Sequence, residues 1–359
     1  MKVLAIVPSL HDRTPGQRFR IEQWEPYLAE FGVEITYSAF ENEELKNVIY
    51  SPGKYPEKVK QIGKAFGRRW SAVRDLSDFD CVYVFREAAI MGPPLFEWLI
   101  ARSKKPMIFD FDDAIYLRSE GSVNGYLNLL KFAGKTRSIC RMSTHVMAGN
   151  QHLASFAKAV NDNVTIIPTT IDTNKYRIEN GEKHDELTIG WSGSFSTVIH
   201  LNTLRTALQR LAKERKFKLR VIGTPTYELD GVDVEAMDWR AATELEDLGR
   251  IDIGVMPLPD DEWSKGKCGL KALQYMALGI PTICSPVGVN SDIIQDGHNG
   301  FLASSDDEWI EKLKLLLDSE DRRREIGALG MQTVIEEYSA HSQAPRVFEL
   351  FERTINSKN

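Results

Sequence analysis

Short runs of β-branched and aromatic residues alternate with longer amphipathic segments along the whole chain, and this alternation restricts the fold more than any other feature. Strands separated by helices in this way form parallel sheets with a helix at each crossover. The runs lie at 3–7, 33–38, 81–85, 107–111, 145–149, 164–168, 187–192, 218–223, 232–237, 251–256, 281–285 and 300–303. The sequence therefore predicts an α/β fold.

A polar segment without apolar periodicity, 171–186, separates the runs into two series. At 359 residues the chain is long enough for two domains, each with its own core. We predict two Rossmann-like domains facing across a cleft, over 1–172 and 187–339, joined by a linker over 173–186. A last amphipathic helix at about 340–357 is predicted to cross back to the N-terminal domain.

Composition narrows the class of protein. The chain is 42% hydrophobic and 27% charged with a net charge of -6, which is typical of a soluble globular protein and argues against a nucleic-acid binder. No apolar run approaches the length of a membrane span, and the first residues read as a strand, so we expect a cytoplasmic protein. Its 4 cysteines are far apart and lack zinc-ligand spacing, so we expect reduced thiols.

The stretch KGKCGLKALQYMALGIP (265–281) places three lysines at the start of a predicted helix. Lys267 and Lys271 share one helix face, and Lys265 precedes them. Like charges at the positive end of the helix dipole each cost roughly a few tenths of a kcal/mol, and a bound anion reverses that effect. Gly269 leaves backbone N–H groups approachable, so the stretch predicts a diphosphate site. A solvated basic loop beside acidic residues is the alternative.

The region 262–302 resembles the donor-binding half of GT-B glycosyltransferases, specifically glycosyltransferase family 4. In that family a helix ends in an M-A-x-G-x-P turn and is followed by a strand, a glycine loop, a short helix and a D-G-x-N-G hairpin. These motifs stand here at 276–281, 287–288 and 296–301. The segments 147–176 and 189–201 are similar to the last N-domain helix and to the first C-domain strand and loop.

The resemblance implies that a nucleotide sugar binds through the second domain. The expected donor-binding residues are Gly193, Ser194, Trp239, Lys267, Gly269, Leu270, Lys271 and Gln274. Two glutamates common in the family fall at Gly266 and Gln274, although the Gln274 amide oxygen can still accept from a ribose hydroxyl. Ser194 replaces a frequent arginine, so Lys267 and Lys271 are expected to neutralise the phosphates. Trp239, near the expected base, is equally compatible with a core position.

The stretch FDFDDAIY (109–116) places Asp110, Asp112 and Asp113 at the carboxyl end of a strand, where parallel sheets bind ligands. By alignment, Asp112 replaces the histidine of a family His-Asp pair, so we expect it to accept from sugar hydroxyls or to take the acceptor's proton. A metal held by D-x-D and a helix cap are the alternatives. The downstream motifs favour GT-B, which implies no metal and no cofactor beyond the nucleotide sugar as co-substrate.

Further acceptor-side candidates lie at the starts of two loops. Gly16 is in a turn after the first strand, and Arg18 and Arg20 then open a helix where the resembled fold places acceptor contacts. Two arginines there can hold an anionic acceptor, or they are ordinary solvated charges. Arg86, at the end of the strand 81–85, is a similar candidate.

The segment 58–74 holds six basic residues and no acidic one, with apolar residues at helical spacing. A basic amphipathic helix of this kind can lie on an anionic membrane, or its apolar face packs on the N-terminal domain. Membrane contact would favour a lipid-linked acceptor.

Taken together, the sequence predicts a glycosyltransferase, a hexosyltransferase that moves sugar from a UDP- or GDP-sugar to a glycan or lipid-linked acceptor. The expected catalytic residues are Asp112, Lys267 and Lys271, with the lysines stabilising charge on the leaving diphosphate. The resemblance implies retention of configuration and a role in cell-surface polysaccharide or glycoconjugate synthesis. A non-catalytic nucleotide-sugar-binding scaffold and a nucleotide-sugar epimerase are the alternatives.

Overall fold

The computed structural model describes residues 1–49, 51, 53–117, 132, 134–177 and 186–357. Contacts divide the chain into two compact units, Met1–Thr169 with Gln343–Asn359, and Thr170–Ser342. The predicted domain boundaries and linker stay predictions, since most of the predicted linker, 178–185, lies outside the described residues.

The first unit is built on a six-stranded parallel sheet with the order β2-β1-β3-β4-β5-β6. Its strands are β1 (Lys2–Val7), β2 (Glu34–Ala39), β3 (Cys81–Phe85), β4 (Met107–Phe111), β5 (His145–Ala148) and β6 (Val164–Ile166). The described helices are α1 (Pro15–Gln17), a π-helix (Arg18–Glu22), α2 (Gln23–Glu30), α3 (Glu43–Ile49), α4 (Tyr55–Arg74), α5 (Leu95–Arg102), α6 (Lys135–Met142) and α7 (Gln151–Lys158). All six predicted strands are confirmed.

The order of these strands determines where the site-bearing loops meet. β3 and β4 are buried along their whole length, as expected of strands covered by helices on both faces. β1 pairs with β2 on one side and β3 on the other, so the chain reverses its direction of winding there. Such a switch point opens a crevice at the carboxyl ends of the strands, and the loops after β1, β3 and β4 leave from that edge.

The second unit repeats this architecture with the order β12-β11-β10-β7-β8-β9. Its strands are β7 (Thr188–Ser192), β8 (Lys218–Ile222), β9 (Asp233–Met237), β10 (Ile253–Met256), β11 (Thr282–Cys284) and β12 (Phe301–Leu302). Its helices are α8 (Val198–Leu201), a 3₁₀ helix (Asn202–Leu204), α9 (Arg205–Ala212), α10 (Glu244–Gly249), α11 (Glu262–Lys265), α12 (Leu270–Ala277), α13 (Asn290–Ile293), α14 (Asp306–Asp318), α15 (Glu320–Thr333) and a π-helix (Val334–Tyr338). Here the switch point lies between β7 and β10.

The last helix, α16 (Ala340–Asn356), joins the first unit from Gln343 onward. Phe348 stacks on Phe31 with ring centroids 4.9 Å apart, and Arg346 donates to the Ile166 carbonyl at 3.2 Å. The C-terminal helix, which follows the second unit in the chain, therefore packs on the first unit, as the sequence predicts.

The sequence over 88–103 is typical of a helix, but the helix in the structure begins later, at Leu95. Pro93 and Pro94 precede it, and proline is favoured just before or at a helix start because it lacks the N–H that would be unpaired there. The residues between β3 and α5 form a loop instead, and Arg86 in this loop has a left-handed backbone with φ of 58°. The sequence therefore predicts an α-helix correctly here but places its first residue too early.

Helix α4 buries only part of the predicted apolar face. Gln61, Ala65, Arg69 and Val73 pack inward, whereas Val59 and Trp70 are 70% and 51% exposed. None of the described helices is long and apolar enough to cross a bilayer. The outer face of α4 is thus a mixture of exposed apolar and basic side chains.

Arg69 is the structural reason for the inward orientation of α4. Its guanidinium is buried and donates to the carbonyls of Ala88, Ser38 and Val7 at 2.7, 2.8 and 2.9 Å. These carbonyls belong to β1, β2 and the loop after β3. Burial lowers the pKa of Arg69 to about 10, which still leaves it charged at neutral pH. One side chain therefore joins three chain segments at the carboxyl edge of the sheet.

We expect Arg69→Met to lower the free energy of unfolding by about 3 kcal/mol, because it leaves several buried carbonyls without donors. Urea denaturation of the full chain measures this loss. Arg68→Met is the matched control, since Arg68 is only partly buried and donates to the Phe40 carbonyl at 2.9 Å. Equal stability of the two variants would contradict the role assigned to Arg69.

Candidate functional site

In the second unit, the loop that leaves β7 forms a compact turn. Gly193 N donates to the Ile222 carbonyl at 2.9 Å, and Ser194 N donates to Thr197 Oγ1 at 3.0 Å. The turn leads directly into α8. Gly193 and Ser194, two of the predicted donor-binding residues, are therefore held at the carboxyl edge of the sheet.

The three lysines of the stretch 265–281 have different surroundings. Lys271 Nζ lies 4.9 Å from the ring centroid of Trp191, and Lys267 Nζ lies 4.8 Å from that of Trp263. Both lysines are half-buried. Lys265 instead pairs with two exposed surface carboxylates, Asp260 at 3.2 Å and Glu262 at 3.3 Å. Lys267 and Lys271 are thus held over aromatic faces, while Lys265 belongs to a surface ion-pair cluster.

His200, on α8, lies in the field of both lysines. Burial and, to a smaller extent, the charges of Lys271 and Lys267 together lower the pKa of His200 to about 4. The imidazole is therefore neutral at physiological pH. His200 is not among the sequence candidates; its only signal is its position seven residues after Gly193.

Helix α12 starts where Gly269 allows a backbone turn that other residues resist. Gly269 has φ of 72°, and a Cβ there would lie 2.3 Å from Ile293 Cδ1. Leu270 then begins the helix. Farther along, the Tyr275 hydroxyl accepts from Ser192 N at 2.7 Å, which fixes α12 against the end of β7. The hydrogen bond of Tyr275 thus fixes the position of α12, which carries Lys271 in its first turn, relative to the sheet.

Gln274 and Trp239 meet at one buried carboxylate, Glu244. Gln274 Nε2 donates to Glu244 Oε1 at 3.2 Å and to the Tyr176 hydroxyl at 3.1 Å. Trp239 Nε1 donates to Glu244 Oε1 at 3.0 Å, and the Tyr176 hydroxyl donates to Glu244 Oε2 at 2.9 Å. Neither Glu244 nor Tyr176 is a sequence candidate, since no motif connects residues so far apart in the chain.

In the first unit, Asp112 forms an ion pair with Arg86. Arg86 Nε and Nη2 both lie 2.7 Å from Asp112 Oδ1. Burial opposes ionisation of Asp112, but the charge and hydrogen bonds of Arg86 outweigh it and lower the pKa of Asp112. A Cβ on Gly16 would lie 2.7 Å from Arg86 Nη2 and 3.0 Å from Asp112 Oδ2, so the loop after β1 packs on this pair. Three predicted residues from three loops are brought together.

Arg20 and Asp110 lie close enough to Asp112 to interact with its charge, and both are fully buried. Arg20 Nε donates to Asp110 Oδ2 at 2.9 Å, and the Tyr83 hydroxyl donates to the same carboxylate. Burial opposes the charge of Arg20, but Asp110 outweighs it and raises the pKa of the guanidinium. Side chains that are fully buried in this structure cannot contact an acceptor. The expected acceptor contact of Arg20 and Asp110 is therefore replaced by a supporting role.

The two remaining acceptor-side candidates, Arg18 and Asp113, are partly buried. Arg18 Nε is 2.8 Å from Asp12 Oδ1. Asp113 Oδ1 accepts from the backbone N–H of the adjacent Ala114 at 3.0 Å, so both the acceptor contact and the helix cap stay predictions. Within the part of the chain that the structure describes, no group of three or more His, Cys, Asp or Glu side chains is arranged to hold a metal ion.

Comparison with known proteins points to one class. Residues 186–319, in the second unit, match the family model "Glycosyl transferases group 1". A D-inositol 3-phosphate glycosyltransferase from Stackebrandtia nassauensis is 26% identical over 216 residues, which is 52% of this chain. The match spans 48% of that relative, about half its length. These similarities support the predicted transferase class.

Solved structures resemble the whole chain. Sucrose-phosphate synthase from Thermosynechococcus elongatus has a TM-score of 0.70 at 14% identity, covering 99% of this chain and 100% of that one. HepE from Anabaena, solved with UDP and glucose, has a TM-score of 0.69 at 13% identity, covering 98% and 100%. At such identities the likeness shows the fold alone. It confirms the predicted α/β fold with two Rossmann-like domains, the GT-B architecture.

The Asp112–Arg86 pair predicts a pH dependence. Because the folded pKa of Asp112 lies below its unfolded value of about 4, the pair stabilises the fold above that pH and loses its effect as the pH falls through the folded pKa. We expect Arg86→Met to be less stable than the wild type at pH 7 and to approach wild-type stability in acid. Thermal unfolding across pH measures the difference.

Arg13→Met is the control for this experiment, because Arg13 forms an exposed ion pair with Glu43 at 3.1 Å in the same unit. Its stability should stay close to that of the wild type at every pH. A stability difference for Arg86→Met that is constant from pH 7 into acid would contradict the pairing.

Proposed function

We propose that this protein is a glycosyltransferase that moves a hexose-type sugar from a UDP- or GDP-sugar to a glycan or lipid-linked acceptor, as a member of glycosyltransferase family 4. The group 1 family match covers the loop after β7 and the start of α12. HepE, a structural neighbour, is solved with UDP and glucose. We place the donor on the second unit and acceptor contacts on the first.

The observation that carries this proposal is the pair of lysines at the start of α12. Breaking the sugar–phosphate bond leaves negative charge on the diphosphate. Lys267, Lys271 and the N–H groups that follow Gly269 are already oriented, so they stabilise that charge without rearrangement. Neutral His200 beside them adds an imidazole able to hydrogen-bond a phosphate oxygen.

Asp112 is proposed as the group that receives the acceptor hydroxyl. Its lowered pKa keeps it ionised at neutral pH, which makes it a good hydrogen-bond acceptor and a weak general base. Positioning of the hydroxyl is therefore its main contribution. Arg86 neutralises Asp112 and adopts a left-handed backbone, a strain that protein structures tend to keep at functional sites. We further propose retention of configuration and catalysis without a metal.

The first test is turnover with labelled UDP- and GDP-sugars. We expect nucleotide release that depends on an added acceptor. Binding without turnover would favour a scaffold, and sugar conversion without acceptor would favour an epimerase; either result contradicts the proposed transfer.

Substitution tests the donor site itself. We expect Lys271→Ala and Lys267→Ala each to weaken binding of UDP or GDP by roughly tenfold or more, because each removes a charge-assisted contact to phosphate. Lys265→Ala is the matched control, since its ammonium is paired with Asp260 and Glu262. Isothermal titration calorimetry measures the affinities. Equal effects at all three positions would count against the assignment.

We also propose that the protein, in the cytoplasm, touches an anionic membrane through one surface, the α4–α5 face. This face is formed by exposed apolar and basic side chains of the two helices: Val59, Lys60, Lys64, Trp70, Arg74, Leu95, Trp98 and Arg102. The helices meet where Phe66 lies 5.6 Å from Phe96. Basic side chains attract anionic headgroups while tryptophan and aliphatic groups enter the interface. Contact with lipid fits a lipid-linked acceptor in cell-surface glycan synthesis.

Vesicle cosedimentation tests this surface. We expect the protein to bind phosphatidylcholine vesicles that contain phosphatidylglycerol, more weakly at high salt, and not pure phosphatidylcholine. Lys60→Glu with Lys64→Glu should weaken binding by about tenfold or more, at roughly 1 kcal/mol per lost cation. Lys213→Glu with Lys216→Glu, on an exposed part of the second unit, is the control of equal charge change. Absence of vesicle binding, or self-association through this face in light scattering, would contradict the proposal.

A further inference from the structure

The donor helix carries a neutral amide, Gln274, where many members of the resembled family carry a glutamate. The structure places a carboxylate directly beside it. Glu244 and Gln274 are both buried, and Gln274 Nε2 is 3.2 Å from Glu244 Oε1. In this chain the carboxylate is therefore supplied by Glu244, the hydrogen-bond partner of Gln274, and not by residue 274 itself.

Glu244 determines which way the Gln274 amide points. An ionised carboxylate only accepts hydrogen bonds, so Gln274 has to present its NH₂ group to Glu244. The Tyr176 hydroxyl donates to Glu244 Oε2 and accepts from Gln274 Nε2, which is consistent with the same orientation. Gln274 Oε1 then points away from the carboxylate, and none of the described residues donates to it.

Glu244 is itself held in place from a second side. Trp239 Nε1, at the end of β9, donates to Glu244 Oε1 at 3.0 Å, so the carboxylate is joined to strand, helix and the segment that carries Tyr176. A network of this kind, with each donor matched to an acceptor, rigidifies the groups it contains. Small rotations of the Gln274 side chain are thereby restricted.

We propose that Glu244 is a positioning residue that fixes Gln274 Oε1 as the acceptor for a ribose hydroxyl of the donor nucleotide. This inference rests on the proposed function. It also gives a physical reason for glutamine at position 274: a glutamate there would bring a second carboxylate to about hydrogen-bond distance of Glu244. Two buried carboxylates so close cannot both be charged without a large electrostatic cost.

The two residues can be tested by exchanging them. Binding of UDP and GDP, and of their 2′-deoxy and 3′-deoxy forms, is measured by isothermal titration calorimetry for the wild type and three variants. The wild type should prefer a ribonucleotide. Glu244→Gln should reduce that preference by roughly fivefold, because the Gln274 side-chain amide can then adopt the flipped orientation. Gln274→Glu should weaken binding increasingly as the pH rises and the second carboxylate ionises.

The double variant Glu244→Gln with Gln274→Glu restores one carboxylate and one amide, so it should recover the ribose preference. Such rescue separates a positioning role from general damage to the fold. Glu246→Gln, an exposed residue of α10 paired with Arg250 at 2.9 Å, is the matched control and should match the wild type.

Three results would overturn the inference: a wild type that does not distinguish ribose from deoxyribose, an unchanged preference in Glu244→Gln, or tighter binding by Gln274→Glu with Glu244 intact. Failure of the wild type to bind either UDP or GDP would instead contradict the proposed function, and this inference with it.

Discussion

The charge of Lys267 and Lys271 at the start of α12 is the constraint around which the second unit is arranged. Cations at the positive end of a helix are unfavourable by a few tenths of a kcal/mol each. Aromatic faces beneath both ammonium groups offset part of this, since an exposed or half-buried cation–π contact contributes about 0.5–2 kcal/mol. A bound diphosphate would make the electrostatic free energy of the two lysines at this helix start favourable. The site is thus complementary to an anion before any ligand arrives.

Rigid support behind each candidate contact is common to both units. Tyr275 fixes α12 to the end of β7, and Glu244 orients Gln274. In the first unit, the buried Arg20–Asp110 pair lies within electrostatic range of Asp112, which pairs with Arg86. Each is a buried polar group whose hydrogen bonds are made at the carboxyl edge of a parallel sheet. Residues that face a substrate are preorganised in this way by partners that do not touch it.

Much of the fold could be predicted from sequence because its signals are local. Each β-branched run became a strand. The lysine pattern likewise combines neighbours in sequence. The structural roles of Arg20 and Glu244 could not be predicted, since Asp110 lies 90 residues from Arg20 and Gln274 lies 30 from Glu244. The inward face of α4 was predicted only in part: Val73 is buried as expected, but Arg69 is buried and Trp70 is exposed, because the Arg69 guanidinium donates to strand-end carbonyls.

The most direct test of the donor site is a crystal structure of the protein with UDP or GDP bound. We predict diphosphate oxygens within hydrogen-bond distance of Lys267 Nζ, Lys271 Nζ and the backbone N–H groups that follow Gly269. A nucleotide bound with its phosphates away from both lysines would contradict the proposed site.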